Sequence, residues 1–519
     1  MLYCYLFVMD SITFASSSCS LVAGVLLVIL IIFLKKKKSK RRVTLALPPG
    51  PPGWPIIGNI FQLGDNPHQS LFFLAQKYGP LMTIKLGMQT TLVVSSPSMA
   101  REVLKNNDQS FSSRTINTVT RVFSYQGTSL LWSPYGPQWR LLRKTCNTEI
   151  FSAKRLDALQ HLRRDEVFRS IDSILENCKQ ENGVQIGERA FMISLTIMGK
   201  MIFGNKLFET GSAQAAEFKS MVRQALQLAG LPNLSDFFPF LGRFDLQGLN
   251  SKANSLAQRF DNMFDRIMEE RLAQRADIPL KYSNEVKDFL DVMLDLREDG
   301  TQLTLENIKA LFMDVFIAGI DTTSATIEWT MTELLRKPAL MKKSQEELDD
   351  VVGVKRRMEE ADIANLPYLR AVVKEVFRLH PLAPLIIRRA DMSCEISGFF
   401  IPENTHVLVN AWAIGRDPSV WKDPLNFNPD RFLESNIDYK GQDFELLPFG
   451  AGRRICLGLP LAHRLIHLVV GSLLQAFTWS IPMGNEAGID MSETFGITLQ
   501  RTVPLRAIPT PRNVSKSYC

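Results

Sequence analysis

Cysteine is scarce in this chain. Seven occur in 519 residues, at positions 4, 19, 146, 178, 394, 456 and 519. The count is odd and no two form a C-x-x-C pair, so neither a zinc site nor a disulfide framework is encoded. The six histidines (68, 161, 380, 406, 463, 467) give no H-E-x-x-H or comparable metal pair. His463 and His467 are four apart and read as packing or surface residues. No G-x-x-x-x-G-K-[ST] occurs, nor a G-x-G-x-x-G in a strand-turn-helix context, so neither nucleotide-binding loop is encoded. Internal repeats are absent, and charge is nearly balanced. The net charge is +7, and seven basic residues lie in one block, Lys35 to Lys38 with Lys40, Arg41 and Arg42. That clustering points to a membrane edge and away from nucleic acid. With 45% hydrophobic and 22% charged residues, the composition is globular, neither disordered nor fibrous.

Long apolar runs are also few, and the exception is near the start. Residues 11–34 carry no charge and end in Leu21 to Leu34, long enough at about 1.5 Å per residue to cross a hydrocarbon core of roughly 30 Å. A cleaved secretory signal is the competing reading. The basic residues follow the run instead of preceding it, and no small-residue cleavage site stands before Lys35. The segment therefore reads as an uncleaved anchor, with its downstream end cytosolic by the positive-inside rule. Residues 35–55 form a basic and Pro-rich linker, including Pro48-Pro49-Gly50-Pro51-Pro52-Gly53-Trp54-Pro55, expected to act as a stiff spacer. Strand patterns at Leu81 to Leu86 and Thr91 to Ser95 are joined by a turn at Gly87. Helical patterns dominate from there on. The expected architecture is a mainly helical catalytic domain with a smaller β-rich part over residues 56–510, then a tail, 511–519.

One cysteine stands out by its surroundings. Pro448-Phe449-Gly450-Ala451-Gly452-Arg453-Arg454-Ile455-Cys456-Leu457-Gly458 places Cys456 after two glycines and before Pro460 and an apolar helical run from Leu459 towards Trp479. A sulfur there sits at a helix N-terminus, where orphan N–H groups and the helix dipole stabilise the metal-binding thiolate. Taken alone, Cys456 would equally read as a small buried hydrophobe. The spacing Phe-x-x-Gly-x-Arg-x-Cys-x-Gly fixes five positions for which packing offers no reason. This stretch resembles the haem-thiolate loop of the cytochromes P450, and the resemblance implies the cytochrome P450 fold, haem b (iron-protoporphyrin IX) and Cys456 as its axial iron ligand. Phe449 would cover the sulfur, and Arg454 would meet an anion beside it.

Further segments resemble the same family in order. Trp139 and Arg143 lie four apart on a helix that starts after Pro137, so an indole N–H and a guanidinium point the same way. A surface arginine beside a core tryptophan would look alike; the resemblance implies a haem propionate clamp. Thr304 to Lys337 reads as one long helix, capped by Thr304 and ended before Pro338. Its middle, Ala318-Gly319-Ile320-Asp321-Thr322-Thr323, interrupts an apolar run with polar groups. Threonines bonding back to the preceding turn would explain that structurally. The resemblance makes it the oxygen groove, with Thr322 holding oxygen and an ordered water and Asp321 feeding the protons that dioxygen activation consumes.

Glu375 and Arg378 are three apart on a helix from Leu369 to Leu379, and Arg431 follows in Phe427-Asn428-Pro429-Asp430-Arg431-Phe432; the resemblance implies a buried structural triad. In Pro384-Leu385-Ile386-Ile387-Arg388-Arg389, Arg389 aligns with the family's propionate-binding arginine, and Arg388 stands where plant members often have proline. Phe316, Ala318, Ile386, Ile387 and Phe495 are the expected substrate-cavity residues.

The implied activity is that of a membrane-anchored haem-thiolate monooxygenase of the plant microsomal branch, similar to geraniol-type monoterpenoid hydroxylases and related alkaloid oxidases. It would act at the endoplasmic reticulum membrane with its catalytic domain cytosolic. O2 and a small lipophilic substrate would be its reactants, and NADPH would serve indirectly through a cytochrome P450 reductase docked on Arg140, Lys144, Arg453 and Arg464. Oxidative phenol coupling or rearrangement by the same haem chemistry, and a non-enzymatic haem-binding membrane protein, are the alternatives.

Overall fold

Helix starts follow the capping chemistry written in the sequence. In the computed structural model, α1 (Pro137–Glu149), α5 (Pro367–Leu379) and α6 (Leu459–Ala476) each carry proline in the first two positions, where a missing N–H costs nothing. Between them lie α2 (Ile186–Phe203), α3 (Ala213–Gly230) and the 32-residue α4 (Leu305–Arg336). Thr304 caps α4 in a reciprocal box: its hydroxyl accepts from Asn307 N at 3.1 Å, and Asn307 Oδ1 accepts from Thr304 N at 3.2 Å.

The structure describes residues 46–178, 183–204, 213–277, 287–301, 303–482 and 488–512. The expected anchor at 11–34, the basic block and the end of the tail lie outside them. Contacts divide the chain into a small unit, residues 1–46 with 398–400, and a main unit, residues 47–397 with 401–519. In the small unit the Phe400 N–H donates to Ala46 O at 3.1 Å. Everything below concerns the main unit.

α4 is the spine of the main unit because most of its circumference is apolar and buried. It lies along α2 through Phe203, whose ring meets Phe312 at 4.9 Å and Phe316 at 5.7 Å, and Phe218 of α3 closes on Phe316 at 4.7 Å. The β-rich part is a four-stranded sheet in the order β1 (Leu81–Leu86), β2 (Gln89–Val94), β4 (His406–Asn410), β3 (Leu385–Arg389). β2 and β4 are parallel, and the outer pairs antiparallel. Gly87 turns the β1–β2 hairpin at φ 58°. Near the C-terminus, β5 (Glu493–Thr494) and β6 (Gln500–Arg501) form a short antiparallel hairpin.

Two expectations change. The helix after Cys456 stops at Ala476, because from Phe477 the burial period switches from 3.6 to 2: Phe477 and Trp479 point in, Thr478 and Ser480 out. Phe477–Ser480 then pairs with Arg506–Pro511, so Trp479 belongs to a strand. The proline-rich stretch is docked on the domain instead of spanning a gap. Pro49 O accepts from Thr83 N at 2.9 Å, and the Asn59 amide reaches Pro51 O and Pro52 O, both at 3.3 Å. Prolines lack donors, but their carbonyls remain free to accept.

Glu375, Arg378 and Arg431 come together. Arg378 donates to both Glu375 oxygens at 2.7 Å, and Arg431 Nε donates to Oε1 at 3.0 Å. The remaining Arg378 donors go to Gly415 O and Pro424 O at 2.6 Å, which tie the 415–426 loop to α5. Glu375 is 0% exposed, so Glu375→Ala strands a buried guanidinium. The expected cost is about 3–5 kcal/mol. Thermal unfolding should show a large drop in Tm or no folded protein; a Tm within a degree or two of the parent would contradict this role.

Candidate active site

The loop carrying Cys456 needs its glycines. Gly450 and Gly452 sit at φ 67° and 69°, and a Cβ on Gly452 would lie 2.1 Å from Leu104 O. That turn lets Cys456 N donate back to Phe449 O at 3.0 Å, and α6 begins three residues later. The sulfur accepts from the backbone N–H groups of Gly458 and Leu459 at the start of α6. Burial pushes the thiol up, while those N–H groups and the Arg114 and Arg143 guanidiniums pull it down. Cys456 lies deep in the protein, yet its surface is accessible, so it borders an interior hollow. Phe449 is held beside it by Phe377 and Tyr439, ring centres at 5.2 and 5.5 Å.

Around this sulfur the structure collects positive charge with little to balance it. Arg143 donates to Ile455 O at 3.0 Å, and Arg114 to Leu131 O at 3.1 Å. Arg388 is 2% exposed and, among the described residues, donates only to its own strand, at Ile387 O. Burial depresses its pKa strongly, and its main charged neighbours are Arg114, Arg454 and Arg143, all of like sign. A buried guanidinium among three others is costly unless an anion completes the site. Two carboxylates arranged to reach these cations, with a sulfur below them, match a propionate-bearing haem. These residues fit that group.

Trp139 lies between two of the cations, 5.3 Å from Arg143 and 4.6 Å from Arg454. Arg454 also fastens a loop. Its Nε, Nη1 and Nη2 donate to Ser112 O at 2.6 Å, Leu130 O at 3.2 Å and Ser133 O at 2.5 Å, which holds the 112–133 loop, and three of the five guanidinium N–H groups are used in this way. Burial lowers it to about 9. A correction concerns Arg389. Strand alternation turns it away from Arg388, and it pairs with Asp391 at 3.3 Å while 34% exposed. The inward place expected for Arg389 is taken by Arg388.

On α4, Thr322 donates its hydroxyl proton to Ala318 O at 2.6 Å, the back-bond of a helical threonine. Asp321 is 5% exposed and turned to the hairpin, where it accepts from Thr498 Oγ1 and from Gln500 Nε2 at 2.8 and 2.9 Å. Burial raises its pKa, and those hydrogen bonds oppose the shift. Phe316, expected in the cavity, is enclosed by Phe203 and Phe218 at 1% exposure and belongs to the core. Ile386 is buried and Ile387 exposed on alternate faces of β3, so they cannot line one wall together. Phe495 stacks on His68 at 5.5 Å. Of the four basic residues expected to meet a reductase, Arg453 pairs with Asp108 and Arg464 with Asp157 and Glu360; Arg140 and Lys144 are exposed.

Two residues escaped the sequence reading. Asp314, pushed up by burial to about 7, accepts from Leu131 N at 2.8 Å and lies near Arg114. Its signal was present: an acid in an apolar run, seven residues before Asp321 and on the same helix face. Arg114 lies in a polar loop with nothing in its neighbours to mark it.

The site so assembled is that of a haem-thiolate protein. Comparison with known proteins narrows this. Residues 48–504 match the Cytochrome P450 family. Geraniol 8-hydroxylase of Catharanthus roseus is 45% identical over 472 residues, covering 90% of this chain and 95% of that protein. Iridoid oxidase of the same plant is 43% identical, covering 90% and 92%. A zebra fish cytochrome P450 solved with progesterone superposes with a TM-score of 0.74 at 28% identity, covering 86% of this chain and 99% of that one. The chain belongs to the cytochrome P450 family and is a monooxygenase of the geraniol-hydroxylase type; its cofactor is haem b.

If Arg388 answers a haem carboxylate, Arg388→Met should release haem to an acceptor such as apomyoglobin roughly 10- to 100-fold faster, the loss of one charge-assisted hydrogen bond of about 1.5–3 kcal/mol. Arg389→Met should change the rate little. Equal effects of the two, or a larger effect at 389, would contradict the assignment.

Proposed function

We propose that this cytochrome P450 hydroxylates a small lipophilic terpenoid or alkaloid of plant specialised metabolism, using O2 and electrons from NADPH through a membrane-bound reductase. The observation that carries the chemistry is the Cys456 sulfur, held by two helix N-terminal N–H groups beside Arg114 and Arg143. The relatives named for geraniol and iridoid chemistry, at 45% and 43% identity, support the substrate class. The apolar run at 11–34 and the basic block after it support a single N-terminal anchor in the endoplasmic reticulum, with Arg140 and Lys144 as the exposed basic residues offered to the reductase.

Bound through Cys456, haem b supplies dioxygen activation, which thiolate donation favours. The chain's own residues do the rest. Trp139, Arg143 and Arg388 orient the cofactor by its carboxylates, and Arg454 keeps the loop around them closed. Phe449 shields the sulfur from water. With its proton committed to Ala318 O, the Thr322 oxygen keeps lone pairs with which to accept from an ordered water. Asp321 supplies protons to that water. Ala318, Phe495 and Ile386 shape the substrate cavity.

Cys456→Ala tests this reading. The reduced, carbon monoxide-treated variant should lose the thiolate-type absorption band, while the parent shows it together with a spectral shift on adding a monoterpenol. Survival of the band in the variant would place the ligand elsewhere. A shift with benzylisoquinolines and none with monoterpenols would decide for the alkaloid, and a shift with neither would contradict the substrate class.

A further inference from the structure

A buried acid that gives up protons in each catalytic cycle has to regain them, and the helix around Asp321 offers no route. Thr322 and Thr323 donate their hydroxyl protons to Ala318 O and Gly319 O at 2.6 and 2.8 Å, and Ser324 donates to Asp321 O at 3.0 Å. Each is committed to a backbone carbonyl. Arg223 lies close enough to be felt, but its guanidinium is paired with Glu188. Glu328, two turns further along α4, accepts from Leu505 N at 2.7 Å and is itself an acid pushed up by burial. Neither passes a proton to Asp321.

The carboxylate is gripped from outside the helix. Thr498 Oγ1 donates to Oδ2, Gln500 Nε2 donates to Oδ1 and Oδ2 at 2.8 and 2.9 Å, and Gln500 Nε2 also reaches Thr498 Oγ1 at 3.4 Å. The three side chains run from inside to outside: Asp321 is 5% exposed, Thr498 7%, and Gln500 is at the surface. The β5–β6 hairpin that presents them is fixed at both ends, through the β5–β6 pairing and through Leu499 N donating to Leu382 O at 2.9 Å. Among the described residues, these side chains connect the Asp321 carboxyl with the surface.

We propose that Thr498 and Gln500 form the port through which Asp321 is reprotonated from solvent; the inference rests on the role given to Asp321 above. In the step, the Thr498 Oγ–H bond breaks as an Asp321 Oδ2–H bond forms, Thr498 Oγ takes a proton from a solvent water, and that water regains its proton from bulk solvent. One proton moves inward and no electron is transferred. Gln500 does not carry the proton. It is a positioning residue that keeps both carboxylate oxygens and the Thr498 hydroxyl in line.

The test uses haem-loaded, reductase-reconstituted enzyme with geraniol as the probe, measuring NADPH oxidation in H2O and D2O. Thr498→Val keeps the shape and removes the hydroxyl. It should slow turnover roughly tenfold and raise the solvent isotope effect, in keeping with the loss of a positioned proton carrier. Thr498→Ser should restore both. Combined with Asp321→Asn, Thr498→Val should add nothing further. A second readout needs no turnover: the infrared carboxyl band lost in Asp321→Asn should exchange more slowly in D2O in Thr498→Val than in the parent. Parent-like rates, isotope effects and exchange in Thr498→Val, with Asp321→Asn slow, would overturn the port alone. An unchanged Asp321→Asn would overturn the role of Asp321 and the port with it.

Discussion

Buried positive charge around a buried sulfur is the constraint on which the rest of this molecule depends. Arg114, Arg143, Arg388 and Arg454 share one region with Cys456, and each has its pKa lowered, first of all by burial. Such a cluster has a desolvation cost of several kcal/mol per ion and persists only if something returns it. Part of the return is internal: Arg454 saturates three carbonyls, and Arg114 and Asp314 grip Leu131 from its two sides. The remainder, above all at Arg388, is what the proposed contact with the haem carboxylates would supply. Binding haem and completing the fold are on this account one event.

The same economy explains the architecture. α4 runs past the site with one face in the aromatic core of α2 and α3, and with Asp314 and Asp321 spaced by seven residues on another. Each acid is satisfied by a different outside segment, the 129–131 loop for Asp314 and the β5–β6 hairpin for Asp321. The helix is thereby fixed in rotation as well as in depth. Glu375 with Arg378 and Arg431 ties α5 to the 415–431 loop through backbone carbonyls, and Phe377 of the same helix meets Phe449.

Much of this was legible in the sequence because it is local. The cap at Thr304, the proline starts of α1, α5 and α6, the glycine turn before Cys456 and the Glu375–Arg378 spacing all involve residues within a few positions of one another. What was not legible is which way a side chain points once distant segments meet. Arg388 and Arg389 are adjacent and chemically identical, and only the pairing of β3 with β4 decides which one faces in. Arg454 carried the right charge for an anion, and its bonds to carbonyls of a loop more than 300 residues away in the chain could not be read from its neighbours. Phe316 had the composition of a cavity wall, and the approach of α2 and α3 makes it core. The proline-rich stretch looked like a spacer because prolines lack donors; as acceptors, the same residues dock on β1.

An experimental structure of the haem-loaded protein tests the central claim most directly. The account predicts the Cys456 sulfur on the iron and Arg388 within hydrogen-bond distance of a haem carboxylate, with Arg454 still bound to its three carbonyls. Carboxylates met by Arg389 instead, with Arg388 left among like charges, would contradict it.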